Sequence, residues 1–303
     1  MTLTLRYDNI NVYKKHTEGI KMIPLLQINK TEIDIGLKKE YRFFQISDCH
    51  IAYIDEKSSR LDIDDNARFH RQWDKLKVDF ATQFGEYYDE SHNIEAHLIF
   101  EALTRHALEF NADALIMSGD IMDRVTDSNI RYLRAFIQDF PKRVIYCPGN
   151  HASHDEYGNH RNMYDRFKGL IENPEFDIFD FGEIEVVTLD NGAKQITDNQ
   201  LKLLEEEIQK GRKILLVIYA PLNLGEFGEK MRKKLSGYFL LGAQGDSENA
   251  FKLLDLIKNN DKSFVAVLAG HIHTSVEYPI TENLVQYTTS SGLIGYGREI
   301  IIK

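Results

Sequence analysis

Carboxylates, imidazoles and a carboxamide recur along this chain in four short clusters: SDCH at 47–50, SGDIMD at 118–123, PGNH at 148–151 and AGHIH at 269–273. A mixed set of oxygen and nitrogen donors suits zinc, manganese or iron, and differs from the all-oxygen cage that calcium prefers. Asp48 and His50 stand two residues apart, as do His271 and His273; in an extended segment leaving a strand, that spacing turns both side chains to one side. Glycines precede Asp120, Asn150 and His271, where they allow a tight turn and a close approach of backbone to a ligand. Any one of these histidines, taken alone, reads more readily as a satisfied core or surface residue. The four clusters together point to a metal centre. His16, His70, His92, His97 and His106 lie outside them and read as ordinary residues, while His154 and His160, just after PGNH, read by default as solvated loop residues, with substrate or metal contact as the alternative.

Such clusters need strands to hold them, and each follows one: YRFFQI at 41–46, ALIM at 114–117, RVIYC at 143–147 and FVAVLA at 264–269. In α/β sheets, ligands bind outside the carboxyl ends of the strands, where the loops converge. Helical patterns separate the strands, at 94–110, 129–139 and 247–258, and Thr197 with Gln200 predicts a capping box for a helix running to Lys210. Further strands are expected at 176–181, 184–189 and 214–219, the last followed by a loop, with antiparallel strands in the tail. Residues 1–40 read as an N-terminal extension of short hairpins on a sheet edge, packed on a main domain of 41–303. A polar region at 54–93 is inserted directly after the first cluster. It contains a helix around 66–84 whose Phe69, Trp73, Phe80 and Phe84 form a packing stripe, and its position would let it act as a cap. The alternation of strands and helices predicts an α/β fold.

The order D-x-H, G-D-x-x-D, G-N-H and G-H-x-H resembles the calcineurin-like metallophosphoesterase family, from about Tyr41 to the C-terminus. The resemblance implies a layered β-sandwich of two mixed sheets flanked by helices, with the metal site at the C-terminal strand ends. It also implies two divalent or trivalent ions (manganese, iron or zinc). Asp48, His50 and His273 would hold the first, and Asp120 would bridge to a second held by Asn150 and His271. His151 would be the catalytic acid, and Asp123 would orient a histidine ligand. Two ions about 3.5–4 Å apart can turn a water into hydroxide and clamp the attacking and leaving oxygens of a phosphate ester.

One family element is altered. After KILLVI the chain reads Tyr219-Ala220-Pro221, so a tyrosine stands where the H-x-P pattern has another ligand. Three consequences are open: a weaker second site completed by water or a nearby histidine, a phenolate ligand favouring a hard ion such as ferric iron, or an empty second site.

Composition bounds the reading further. With 303 residues, 43% apolar and 28% charged, the chain has the make-up of an ordinary folded protein. A formal net charge of −10 argues against a broad basic face for nucleic acid and disfavours a nuclease acting on long DNA, so a small phosphorylated substrate is expected. Cys49 and Cys147 are too few for a disulfide framework and read as buried thiols. The first residues lack the pattern of a signal peptide and no stretch approaches bilayer-spanning length, so a cytoplasmic protein without membrane contacts is expected; the oligomeric state is left open. The expected function is metal-dependent hydrolysis of a phosphomonoester or phosphodiester. The alternative is a non-catalytic or one-metal interaction protein that keeps the fold.

Overall fold

Unbroken apolar runs form strands in this chain because both of their faces are covered. In β2 (Tyr41–Ile46), Tyr41 and Phe43 pack between two sheets, whereas Phe44 and Ile46 face a helix layer. The computed structural model describes residues 25–87, 94–154, 163–235 and 239–303. One sheet contains β1 (Gln27–Ile33), β2, β3 (Ala114–Ser118), β4 (Arg143–Cys147) and β11 (Tyr296–Ile302), in the spatial order β1-β11-β2-β3-β4. The other contains β5 (Phe176–Asp180), β6 (Ile184–Leu189), β7 (Lys213–Val217), β8 (Phe264–Ala269), β9 (Val276–Pro279) and β10 (Val285–Thr288), in the order β5-β6-β7-β8-β10-β9. Both sheets mix parallel and antiparallel pairs, and the layered α/β sandwich is as expected.

Between the sheets lies an apolar layer that includes Phe43, Ile116, Ile145, Val186, Leu215, Val217 and Leu268. Buried polar bridges fix the two sheets relative to each other. Gln45 on β2 donates to Ser118 Oγ and Ala269 O, and its Oε1 accepts from Thr289. The buried Arg298 of β11 reaches Thr31 Oγ1 at 2.6 Å, Glu277 Oε1 at 3.0 Å and Thr288 O at 3.1 Å, so its charge is paired and its donors are used.

Helices cover the outer faces: α1 (Arg60–Phe84), α2 (Ala96–Glu109), α3 (Asp127–Asp139), α4 (Asp198–Gln209), α5 (Gly225–Leu235) and α6 (Glu248–Asn259). The capping box of Thr197 and Gln200 is present. A second box, Ser59 with Asp62, starts α1 at Arg60 rather than at Asn66. The loop expected after β7 contains helix α5: Phe227, Met231 and Leu235, four apart, bury on the outer face of the second sheet despite the glycines among them. In place of an edge hairpin, β1 runs parallel to β11; residues 1–24 lie outside the described ones. Both cysteines are free and buried, as expected. Among the described residues, no helix is long and apolar enough to cross a membrane.

Candidate metal centre

The loops that leave β2, β3 and β8 meet at one end of the sandwich, but by a different backbone route from the expected one. β2 stops at Ile46 and β8 at Ala269, and the next residues are not extended. Asp48 (φ 52°), His50 (φ 47°), Asp120 (φ 47°), His271 (φ 71°) and His273 (φ 49°) all adopt left-handed backbone, and they are five of the seven non-glycine residues that do so among those described. Each such conformation costs on the order of 1–3 kcal/mol, and residues of this kind gather at functional sites. The paired side chains still converge, through left-handed turns rather than strand alternation. Hydrogen bonds between the loops hold the turns: Asp48 N donates to Gly119 O at 3.0 Å and His50 N to Asp120 O at 2.9 Å. At Gly270 the approach is so close that a Cβ would lie 1.8 Å from Ser47 Oγ and 2.7 Å from Asp48 Oδ2.

Asp48, His50 and His273 form a tight, buried triangle. His50 Nε2 lies 3.3 Å from His273 Nε2, and Asp48 Oδ1 lies 3.4 Å from His273 Nε2 and 4.0 Å from His50 Nε2. Donors bound to one ion at ~2.0–2.1 Å in tetrahedral geometry stand about 3.3–3.4 Å apart, so this triangle fits a cation. Burial pushes His50 down to about 4, which keeps it neutral as a ligand must be. Burial raises Asp48, but His273, His50 and Ser47 outweigh that and hold its carboxyl well below the usual range. Its Oδ2 accepts from Ser47 Oγ at 2.6 Å and from His271 N at 2.8 Å, which leaves Oδ1 turned to the triangle.

Behind the triangle, Asp123 acts as a hub. Its Oδ1 lies 3.6 Å from His50 Nδ1 and 3.5 Å from His151 Nδ1, and its backbone oxygen sits 2.7 Å from His151 Nδ1. The rest of its carboxylate is held by α1: Trp73 Nε1 donates to Oδ1 at 2.7 Å, and Arg68 forms an ion pair with Oδ2. The Trp73 indole stacks on His50 with ring centres 4.2 Å apart and lies 6.0 Å from His273. Trp73 therefore touches Asp123 and His50 and does more than pack. The side chains of Phe80 and Phe84 lie outside the described residues, while Phe69 is buried beside Trp73. His50, Asp123 and His151 also lie close enough to hold an ion, but the bonds from Trp73 and Arg68 use the Asp123 carboxylate and favour an orienting role.

The donors expected for a second ion are arranged differently. Asn150 Oδ1 is buried with no hydrogen-bond partner, as an oxygen awaiting a cation would be. Asp120 Oδ2 and His271 Nδ1, however, both contact the hydroxyl of Tyr219, the latter at 2.8 Å, and the same hydroxyl donates toward Asp48 Oδ1 at 3.1 Å. These donors are not open to an ion while the phenol is there. Burial, reinforced by Asp120 and Asp48, raises the Tyr219 phenol well above its ordinary value. Asp120 is itself pushed up to about 6 by burial and by Asp48, with His151 and Tyr219 pulling the other way. For His151, burial lowers the value, but Asp120 and Asp123 outweigh it and raise it to about 9, so the ring carries a proton at neutral pH.

Sequence reasoning missed Arg68, Trp73 and Asn191. Asn191 follows β6, and its Oδ1 accepts from Tyr219 N at 2.8 Å and Ala220 N at 2.9 Å, fixing the loop that carries the phenol. An Asn-Gly pair after a strand reads as a plain turn, so only the adjoining Y-A-P anomaly could have drawn attention to it. His154 packs its ring edge-on to His151 at 4.8 Å. His70, His97 and His106 are away from the centre, and His16, His92 and His160 lie outside the described residues.

Two stacked mixed sheets that gather nitrogen and oxygen donors at their loop ends define a layered α/β sandwich with a candidate metal centre. Comparison with known families narrows it: the model of the calcineurin-like phosphoesterase family matches residues 41–275, and the chain belongs to that family. It is similar to a probable cyclic nucleotide phosphodiesterase of Fibrobacter succinogenes, 24% identical over 182 residues, which cover 59% of this chain and 64% of that protein. A probable cyclic nucleotide phosphodiesterase of Coxiella burnetii is 27% identical over 182 residues, covering 58% of this chain and 64% of that protein. The chain therefore matches a little under two thirds of the length of these relatives. Its fold is similar to that of a dimetal phosphatase from Danio rerio, with a TM-score of 0.50, 13% identity, and coverage of 84% of this chain and 88% of that one.

Proposed function

We propose that this chain hydrolyses a small phosphodiester, using a cation held by Asp48, His50 and His273. The observation that carries the reading is the spacing of their buried donor atoms, 3.3–4.0 Å. The names of the two sequence relatives favour a diester over a monoester, and a cyclic nucleotide is the first substrate to try.

A cation bound there would supply Lewis acidity and lower the pKa of a bound water to ~7. The chain's own residues supply the rest. Asp123, held by Trp73 and Arg68, places Oδ1 3.6 Å behind His50 Nδ1, an atom with no hydrogen-bond partner, so its pull on that ring is electrostatic. It also fixes His151 through Nδ1, so that Nε2 is the nitrogen that faces a ligand. Raised to about 9, His151 holds a proton at that atom and can pass it to the departing oxygen of the ester. The imidazolium would also present a positive charge to the phosphate.

The test is direct. Purified protein, stripped with chelator and reloaded with manganese, is assayed with bis(p-nitrophenyl) phosphate, p-nitrophenyl phosphate and 3′,5′-cyclic AMP. Turnover of diesters that depends on added metal is expected; absence of bound metal together with no turnover of any substrate would favour a non-catalytic binding protein.

A further inference from the structure

We infer that the hydroxyl of Tyr219 takes the place of a second cation, so that each chain has one metal-binding position and not two. The inference rests on the first metal position of the proposed function and specifies the composition of that same centre.

Three atoms able to bind a metal converge on the phenol oxygen: Asp48 Oδ1 at 3.1 Å, His271 Nδ1 at 2.8 Å, and Asp120 Oδ2 in a hydrogen bond. An ion bound to those atoms would sit ~2.0–2.2 Å from each, which is the volume the phenol oxygen fills. A hydroxyl meets part of the needs of such a nest, since it can donate to only one of the two carboxylates. Its one proton goes to a carboxylate, and its lone pairs can accept from the imidazole N–H. Asp48, Asp120 and Tyr219 are 0%, 2% and 1% exposed, so bulk solvent does not reach the carboxylates. The side chain is an internal substitute for a cation, neutral where the ion would be doubly charged.

The ring has little freedom to withdraw. Its backbone N–H is held by Asn191 Oδ1 at 2.8 Å and its carbonyl accepts from Gly270 N at 3.0 Å. One ring face packs on His271, with centres 4.5 Å apart. Opposite the ring edge, Gly119 presents bare backbone, and a Cβ there would lie 1.9 Å from Tyr219 Cδ2. Among the buried oxygens of the second set, Asn150 Oδ1 is left without a partner, and a single neutral oxygen does not retain an ion. The donors of Asp48, His50 and His273, by contrast, all lie within 4.8 Å of one another.

Counting metal decides the matter independently of activity. The full chain, stripped with chelator, is reloaded with excess manganese, desalted, and read by elemental analysis and electron paramagnetic resonance. One manganese per chain with the six-line spectrum of an isolated ion is expected, and Tyr219→His should raise the count to two with a spin-coupled spectrum. Two coupled ions in the unmodified chain would overturn the inference, as would a visible charge-transfer band on loading ferric iron, because the phenol would then be a ligand. If Tyr219→His does not fold, the count on the unmodified chain still decides. Two ions with turnover overturn this inference alone, one ion without turnover overturns only the proposed hydrolysis, and no bound metal overturns both.

Discussion

Replacing Trp73 by Phe tests whether the inserted helix sets up the metal centre or merely packs on it. The change keeps a ring stacked on His50 and removes one group, the indole N–H that donates to Asp123 Oδ1 at 2.7 Å. A hydrogen bond to a charged partner contributes about 1.5–3 kcal/mol. If that loss passes entirely through Asp123 to the ring of His50, metal affinity falls by ~10- to 150-fold, since 1.4 kcal/mol is tenfold. Arg68 still holds the other carboxylate oxygen, so the lower end, about tenfold, is expected. The assay is competition for manganese against a chromogenic chelator, run beside a thermal melt. Phe100→Leu serves as control, because its buried ring packs on Tyr132 and Phe136, among the helices. It should lower the melting temperature and leave affinity unchanged. A Trp73→Phe protein that melts lower but binds manganese as tightly as the parent would refute the reasoning and reduce Trp73 to a packing residue.

Other expectations follow from the same geometry. His151→Ala should cut turnover by ~10²–10⁴-fold, the usual worth of a general acid, and Asn150→Ala should cut it well beyond His106→Ala; equal rates for the three variants would count against the assigned centre. Gly119→Ala would drive a Cβ into the Tyr219 ring at a φ of +98°, and a loss of at least ~2 kcal/mol of folding stability is expected; urea unfolding within error of the parent would contradict it. Away from the centre, Glu185 on β6 meets Glu207 on α4. Burial and then Glu207 push Glu185 up to about 7, while the Glu207 carboxyl is lowered, so the pair holds one proton between them. The folded chain thus binds more protons than the unfolded one between the ordinary value of 4.5 and about 7. The contribution of Glu185 is present at 4.5 and lost as pH rises through about 7, whereas that of the lowered Glu207 is lost as pH falls below 4.5. Glu185→Gln should flatten that part of the melting-temperature profile between pH 5 and 8, and an unchanged slope would show that no proton is held there.

Much of this arrangement was legible because it is local. SDCH, SGDIMD, PGNH and AGHIH each follow an apolar strand, and the end of a strand fixes where the next few side chains go. The sandwich was legible for a related reason: runs such as FVAVLA are apolar on both faces, which requires covered sheets. What escaped depends on distance or on strain. Nothing in a helical stripe says that Trp73 and Arg68 will reach a carboxylate some fifty residues on, since periodicity gives a face and not its partner. The left-handed backbone at Asp48, His50, Asp120, His271 and His273 has only a weak signature in residue type: Asp and His enter that region more often than other side chains, but local preference still opposes it and the surrounding contacts impose it. Tyr219 shows both limits: its substitution could be seen in the sequence, but the atoms its oxygen would meet could not.

The chain has a single tryptophan, and its indole stacks on a proposed ligand. Intrinsic emission from this protein is therefore a local optical gauge, with no background from other indoles. A paramagnetic ion seated between His50 and His273 would quench it, whereas a diamagnetic one such as zinc would shift it far less. Loading, exchange and chelation of the centre can thus be followed in real time, on unlabelled protein, before any substrate has been found.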